Sequence, residues 1–395
     1  MTENLLITFN AGSSTVKIGL FDVDVSGHAR RVAKGVIDFQ KHPLNLRLTK
    51  GASIFEDSLE AVAAGDLNAV MAETFGYLER HFDLGQLVAA GHRVVHGGDL
   101  FEAPVRIDDK AIEAIDSLTM LAPLHQPQSL HLIRAVRHLK PKLIQSASFD
   151  TAFHRTNHEV VRRFAIPRSF YSEGIKRYGF HGLSYKFIAG ELKRRAPDAA
   201  GGKVVAAHLG SGASLCALDA GVSQDSSMGF STLDGIPMAT RCGAIDPGVL
   251  LHLLGPGGKS LSEMEDILYH RSGLLGVSGM SADSRILLDS EEPHAREAIE
   301  LFTFRIAGEV ARLAATLAGL DAIVFTAGIG ENQPLIREGI CHRLAWLGIE
   351  LDPAANAKNA DTISTASSRV AIFVVSTDEE QVIADETLAV LDGKS

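Results

Sequence analysis

At 395 residues, with 46% hydrophobic and 22% charged side chains, the chain has an ordinary globular balance and suits two domains of roughly 150–200 residues each. Its net charge of −10, with no long Lys/Arg block, argues against nucleic acid or an anionic membrane as partner. The three cysteines (Cys216, Cys242, Cys341) lack metal-type spacing, the N-terminus has no signal-like apolar run, and no stretch approaches the ~20 residues of a membrane span. The expectation is a cytoplasmic protein that grips any anion locally, against an acidic background.

The first predicted elements are two apolar strands joined by a tight turn, residues 7–22. Gly12 supplies the backbone freedom, while Asn10, Ser13, Ser14 and Thr15 form a rim of donors with Lys17 behind. Small polar residues between two strands are most often a plain hairpin turn. Here the pattern recurs at 204–219, with Gly210 on Gly12 and Ser211 on Ser13, 198 positions later. Half a chain apart, two phosphate-type hairpins point to two similar halves closing on one nucleotide.

Residues 31–48 alternate loosely and extend the first sheet; 57–82 read as helix. A buried strand over 87–95 runs into His92-Arg93-Val94-Val95-His96-Gly97-Gly98. An arginine emerging there is costly unless an anion meets it, either a ligand or a core carboxylate. Pro123 and Pro127 bracket His125 ahead of a helix to about 139. The next strand, 143–147, delivers Asp150, where α/β sheets place functional groups and where a helix cap would also sit. His181 precedes a helix over 185–195. The run Gly255-Pro256-Gly257-Gly258-Lys259-Ser260 ends like a phosphate loop, but its required first glycine falls on Leu253 and no strand feeds it, so it reads as a solvated loop. Residues 272–285 read as a Gly/Ser-rich loop, and 294–318 as a long helix. A strand over 322–325 enters Gly328-Ile329-Gly330-Glu331-Asn332, with Pro334 opening a helix, a context that suits an anion. A last strand over 370–376 leads to a terminal helix, where Thr377 and Glu380 fit a capping box and leave Glu379 the freer carboxylate.

Hairpins followed by β/α units, twice, describe an α/β fold of duplicated actin-like ATPase (ribonuclease H-like) domains with a nucleotide cleft between them. The expected division is 1–150 and 151–379, with a terminal helix over about 380–395 packing back on the first domain.

Taken together, Asn-Ala-Gly-Ser-Ser at 10–14, His-Arg-Val-Val-His-Gly-Gly at 92–98, Leu-Ala-Pro-Leu-His at 121–125, Phe-Asp-Thr-Ala-Phe-His at 149–154, Tyr-Gly-Phe-His-Gly at 178–182, Gly-Leu-Leu-Gly-Val-Ser-Gly at 273–279 and Phe-Thr-Ala-Gly-Ile-Gly-Glu-Asn at 325–332 resemble the acetate kinases, in order and across essentially the whole chain. The resemblance implies a homodimer, Mg²⁺ (or Mn²⁺) as metal, ATP as co-substrate, and reversible transfer: acetate + ATP ⇌ acetyl phosphate + ADP. It implies that Asn10 and Glu379 hold the metal and that Lys17 reaches the nucleotide phosphates. Arg93 would bind the acyl carboxylate, Asp150 would be the active-site Asp, and His181 and Arg241 would stabilise the transition state. The matching nucleotide segments are His208-Leu209-Gly210-Ser211-Gly212, Asp283-Ser284-Arg285 and Gly328-Ile329-Gly330-Glu331-Asn332. Val95, Leu124 and Phe180 match positions enclosing the acetate methyl.

Three residues depart from the family pattern. Ser211 replaces an asparagine in the second turn, Thr232 stands where the acyl pocket usually has proline, and Ala244 removes an acidic residue near Arg241. Thr232 keeps a propionate- or butyrate-preferring kinase open, since one methylene is worth only ~1–3 kcal/mol of discrimination. A non-catalytic nucleotide switch of the same fold would not need Arg93, Asp150, His181 and Arg241. A sugar kinase would need a general base for its hydroxyl acceptor. A carboxylate acceptor is already ionised at neutral pH, so Asp150 is expected to orient Arg241 or a water instead of removing a proton.

Overall fold

Seven of the eight residues of the first strand, β1 (Asn4–Ala11), are buried, which places it in the middle of a sheet. The structure is a computed structural model that describes residues 4–393 except 13–14, 26, 40, 42 and 62–65. The chain forms two units, one of Met1–Phe153 with Asp378–Ser395 and one of His154–Thr377.

In the first unit β1 is followed by β2 (Thr15–Val23), β3 (Ala29–Asp38), β4 (Leu44–Lys50) and β5 (Ser53–Leu59), each antiparallel to its predecessor. Then come β6 (Leu87–Val94), β7 (Val105–Arg106) and β8 (Ile144–Phe149); β6 lies parallel to β1, and β8 parallel to β6. The sheet order is β5-β4-β3-β2-β1-β6-β8-β7. The helices Leu67–Glu79 and Gln126–Leu139 form the parallel crossovers. They bury Val70, Met71, Phe75, Leu132 and Val136 with Ile7, Phe9, Ile18 and Leu46 of the sheet. The opposite face takes the terminal helix Glu379–Leu391. That helix passes so close to β6 that a Cβ on Gly91 would lie 2.3 Å from Thr387 Oγ1 and 2.6 Å from Ile383 Cγ2.

The second unit repeats the plan. Its strands β9 (Lys203–Leu209), β10 (Ala213–Asp219), β11 (Val222–Ser226), β12 (Ala322–Thr326) and β13 (Ala371–Val374) are ordered β11-β10-β9-β12-β13. A three-strand antiparallel meander is again followed by two strands parallel to its first member. Without β4, β5 and β7, the first sheet has this same order, so the duplicated actin-like α/β fold is present. A helix over Pro293–Leu317 covers the second sheet, burying Phe302, Ile306, Val310, Leu313 and Leu317 at three- and four-residue spacing. Each such side chain contributes ~1.5–3 kcal/mol when fully buried.

The two hairpins are not superimposable in register. Asn10 faces Lys17 across the first, whereas His208 faces Ser214 across the second, one residue earlier than an offset of 198 requires. A one-residue slip exchanges the faces of the returning strand. The second hairpin therefore sets a hydroxyl where the first sets an ammonium. Ser13 and Ser14 lie outside the described residues.

Three local expectations are corrected. The helix read over 57–82 begins only at Leu67, because Ser53–Leu59 is the edge strand β5. The loop over 272–285 contains a helix, Gly273–Ser278. Thr377 and Glu380 form no capping box: Asp378 is the N-cap, its carboxylate accepting from Gln381 N. The Gly255–Ser260 run is a turn after a helix, Pro247–Leu254, and not a strand-fed phosphate loop.

Candidate active site

In the first unit, the ends of β1, β6 and β8 and the start of the terminal helix converge. Pairing sets Arg93 beside Ser148, and Asp150 opens the 3-10 turn that follows β8. Arg93 grips Asp150 with two bonds, Nε to Oδ1 at 3.0 Å and Nη2 to Oδ2 at 2.6 Å, a planar fork on a carboxylate. Its Nη1 donates to Asn10 Oδ1 at 3.0 Å and lies 3.8 Å from Glu379 Oε2. The Asn10 amide in turn donates to Glu379 Oε2 and Glu380 Oε1, both at 2.7 Å. These side chains are scarcely exposed: 1% for Asp150, 12% for Arg93 and 9% for Glu379. Burial alone would lower the pKa of the Arg93 guanidinium, but Asp150, Glu379 and Glu380 outweigh it and raise it.

The cluster is anionic overall. Asp150, Glu379, Glu380 and Asp378 are met by Arg93 and by Arg31, which pairs with Asp378 and lies 3.8 Å from Glu380 Oε2. A surplus of carboxylate charge with oxygen-only donors fits a hard divalent cation. Among the described residues no three His, Cys, Asp or Glu already stand as a metal cage; a cation held by one or two carboxylates plus substrate oxygens does not require one. The Asn10 oxygen faces Arg93 and its NH₂ faces the glutamates, so Asn10 serves a cation through its oxygen only if the amide turns over. Glu379 is no freer than Glu380, since Asn10 holds both. Lys17 is exposed on β2, across the strand pair from Asn10.

The second unit builds its own cluster around the hairpin turn. His181 caps the helix Gly182–Arg195 in the left-handed region, with φ 57°. Such a conformation is uncommon for a non-glycine. The ring stacks on that of His208, 4.3 Å between centroids and 14° between planes. His181 Nδ1 lies 2.8 Å from Ser214 Oγ, which Tyr185 Oη also contacts. His208 Nδ1 lies 2.8 Å from Ser184 Oγ, and that hydroxyl lies 2.9 Å from Thr377 Oγ1. A methyl on Gly212 would stand 3.6 Å from His181 Nε2 and 3.7 Å from Arg241 Nη1. Both nitrogens thus flank the bare backbone of the turn. Arg241 Nη1 donates to the Thr232 carbonyl at 3.3 Å, tying this cation to the segment that carries the departure from proline.

The remaining expected residues have local partners. Asp283 caps the helix Ser284–Asp289 and forks onto Arg285, which lowers its carboxyl pKa. The segment Gly328–Asn332 lies in a short helix, Ala327–Asn332, after β12; Glu331 Oε1 accepts from Thr377 N at 3.2 Å. Val95 and Phe180 are buried, whereas Leu124 is 42% exposed. The arginine that Asp150 grips is Arg93. Sequence reading missed Glu380, Ser184, Tyr185 and Ser214 as partners. The capping-box reading occupies Glu380, and Ser214 depends on the register slip, which no residue pattern announces.

Two solved structures similar to this chain over nearly its full length are kinases. A propionate kinase from Francisella tularensis subsp. tularensis SCHU S4 is 34% identical with a TM-score of 0.90, covering 97% of this chain and 98% of that one. Porphyromonas gingivalis acetate kinase is 32% identical with a TM-score of 0.86, covering 98% of this chain and 100% of that one. The chain is a kinase, a phosphotransferase with a carboxyl group as acceptor. Among curated sequences, the acetate kinase of Methylocella silvestris is 46% identical and that of Rhizobium meliloti 45%, each over 98% of both chains. Residues 5–385 match the acetokinase family, and the chain belongs to it.

Proposed function

We propose that the protein is an acetate kinase, catalysing reversible Mg²⁺-dependent phosphoryl transfer between ATP and acetate to give acetyl phosphate and ADP by direct in-line displacement. The observation that carries this reading is Arg93, 12% exposed, held by the fork on Asp150. A carboxylate acceptor titrates near ~4 and needs no base. The difficulty is bringing one anion to another, which calls for fixed cations and positioning. Asp150 is committed to Arg93, so it orients the acyl-binding cation and does not take a proton.

Arg93 receives the acyl carboxylate, and His181 and Arg241 beside Gly212 neutralise the transferring phosphoryl. Lys17, residues 208–212, 283–285 and 328–332 contact the nucleotide; Val95, Leu124, Phe180 and Thr232 enclose the acyl methyl. Glu379 and Asn10 would hold Mg²⁺, which neutralises phosphate charge when bound. Homodimer formation is supported by the helix Pro247–Leu254, an apolar segment with no buried residue, where Val249 is 41% and Leu251 72% exposed.

A second reading, preference for propionate, is favoured by Thr232 and by the Francisella structure's name. Initial rates of acyl-hydroxamate formation with formate, acetate, propionate and butyrate decide between the two. Acetate is expected to lead; propionate leading would favour the second reading, and no hydroxamate from any acid would overturn both.

A further inference from the structure

Among the described residues, Arg337 is the largest side chain that is completely buried. No carboxylate pairs with it among the described residues. Instead, all five of its N–H groups meet neutral oxygens. Nε donates to Asn356 Oδ1 at 2.8 Å; Nη1 donates to the carbonyls of Gly330 at 2.8 Å and Glu331 at 3.0 Å; Nη2 donates to the Asn356 carbonyl at 2.8 Å and to Asn359 Oδ1 at 2.6 Å. Burial lowers its pKa to about 10, which leaves it charged at neutral pH.

A buried guanidinium without a counter-ion is expensive. Here it does something no apolar residue could do. The helix Ala327–Asn332 is short, and its last carbonyls have no partners within it. The Gly328 carbonyl takes Asn332 Nδ2, and the Ile329 carbonyl takes Gln333 N. Those of Gly330 and Glu331 are left to Arg337. A cation at a helix C-terminus also opposes the helix dipole favourably. At its other end the segment is tense: Ala327 stands at φ 64°, costly for a residue with a Cβ. Asn356 Nδ2 also holds the Pro334 carbonyl, so one buried knot fixes the exit of the segment while its entrance is strained.

We propose that Arg337 is a positioning residue for nucleotide: it sets the backbone of 328–332 from behind and touches no substrate. This rests on the reading of 328–332 as a nucleotide-binding segment. The test is Arg337→Lys, which keeps the charge but not the planar five-way fork. It uses steady-state kinetics in both substrates, and hydrogen exchange over residues 326–333 with and without Mg·ADP. Loss of one charge-assisted hydrogen bond predicts a nucleotide KM raised about tenfold. The acyl KM should stay within about twofold, with faster exchange over 326–333. If the lysine variant does not fold, Asn359→Gly removes one acceptor while suiting the left-handed backbone there (φ 50°), and should raise the nucleotide KM about threefold. Both KM values unchanged despite a lower Tm, or both rising together, would overturn the proposal. If Mg·ADP fails to slow exchange over 326–333 in the unaltered protein, the nucleotide reading falls and the proposal with it. If exchange does slow but the variant's nucleotide KM does not move, only the proposal falls.

Discussion

Gly212 offers the sharpest separation of catalysis from stability. In Gly212→Ala the added methyl would sit 3.6 Å from His181 Nε2 and 3.7 Å from Arg241 Nη1. Both are ordinary van der Waals distances, so nothing must move to admit it. Alanine at an unstrained position restricts the unfolded chain and stabilises by about 0.4–1 kcal/mol. Thermal unfolding should therefore be unchanged or slightly later. The methyl does occupy space within 4 Å of both nitrogens. A transferring phosphoryl group would have to shift by about the thickness of a methyl, and a misplacement of about 1 Å costs on the order of 10²-fold in rate. The assay is hydroxamate formation at saturating ATP and acetate, run beside a melting curve on the same preparation. A kcat within a fewfold of the parent, with Tm intact, would refute the view that the transferred group lies between His181 and Arg241. A large fall in Tm would instead show that the turn cannot take a side chain, and would remove the basis of the prediction.

Asp150→Asn replaces one of the two oxygens gripped by Arg93 with an NH₂ and should lower kcat by 10²-fold or more at every pH, about the loss of a charged hydrogen bond plus misorientation; recovery at high pH would show that Asp150 is a base. Arg93→Lys cannot fork and should chiefly raise the KM for the acyl substrate, about tenfold, which steady-state kinetics in both directions would check. Gly91→Ala forces β6 from the terminal helix, since the new Cβ would meet Thr387 Oγ1 at 2.3 Å; overpacking of this kind costs about 1–3 kcal/mol and should show in urea unfolding. His92, His96 and His154 are held neutral by burial, with pKa values lowered from 6.5 to about 4. The unfolded chain binds protons first as pH falls, so stability should be full above pH 6.5 and drop between there and about 4, at up to ~1.4 kcal/mol per pH unit for each imidazole. A melting temperature flat over that window would contradict their neutral burial.

Much of the fold was legible because buried strands in a doubly covered sheet run apolar over most of their length, as residues 5–7, 87–91, 204–207 and 322–325 do, with the polar residues gathered at the strand ends. The duplication showed in the glycine-bearing turns, and the sheet orders carry it. What failed was local. Residues 53–59 form an edge strand with one face in solvent, and their mixed pattern reads as helix as readily as strand. A capping box at Thr377 and Glu380 and a cap at Asp378 are one residue apart, and only the start of the helix decides between them. Partners were harder still to read than elements. Arg93 called for an anion, but its grip on Asp150 joins residues 57 positions apart, and the glutamates beside Asn10 lie 369 and 370 positions away. No periodicity encodes such a pairing.

Those last separations bear on how the protein is made. Glu379 and Glu380 belong to the unit that contains Asn10 and Arg93, yet they leave the ribosome only after the whole of residues 154–377. Until then the sheet face beneath Gly91 has no helix to cover it, and Arg93 has Asp150 but not its glutamates. A growing chain can therefore finish the second unit while the first still lacks its anionic wall. Contacts this distant in sequence close slowly, so the last step of folding and the first moment of catalytic competence should be one event, the docking of a thirteen-residue helix.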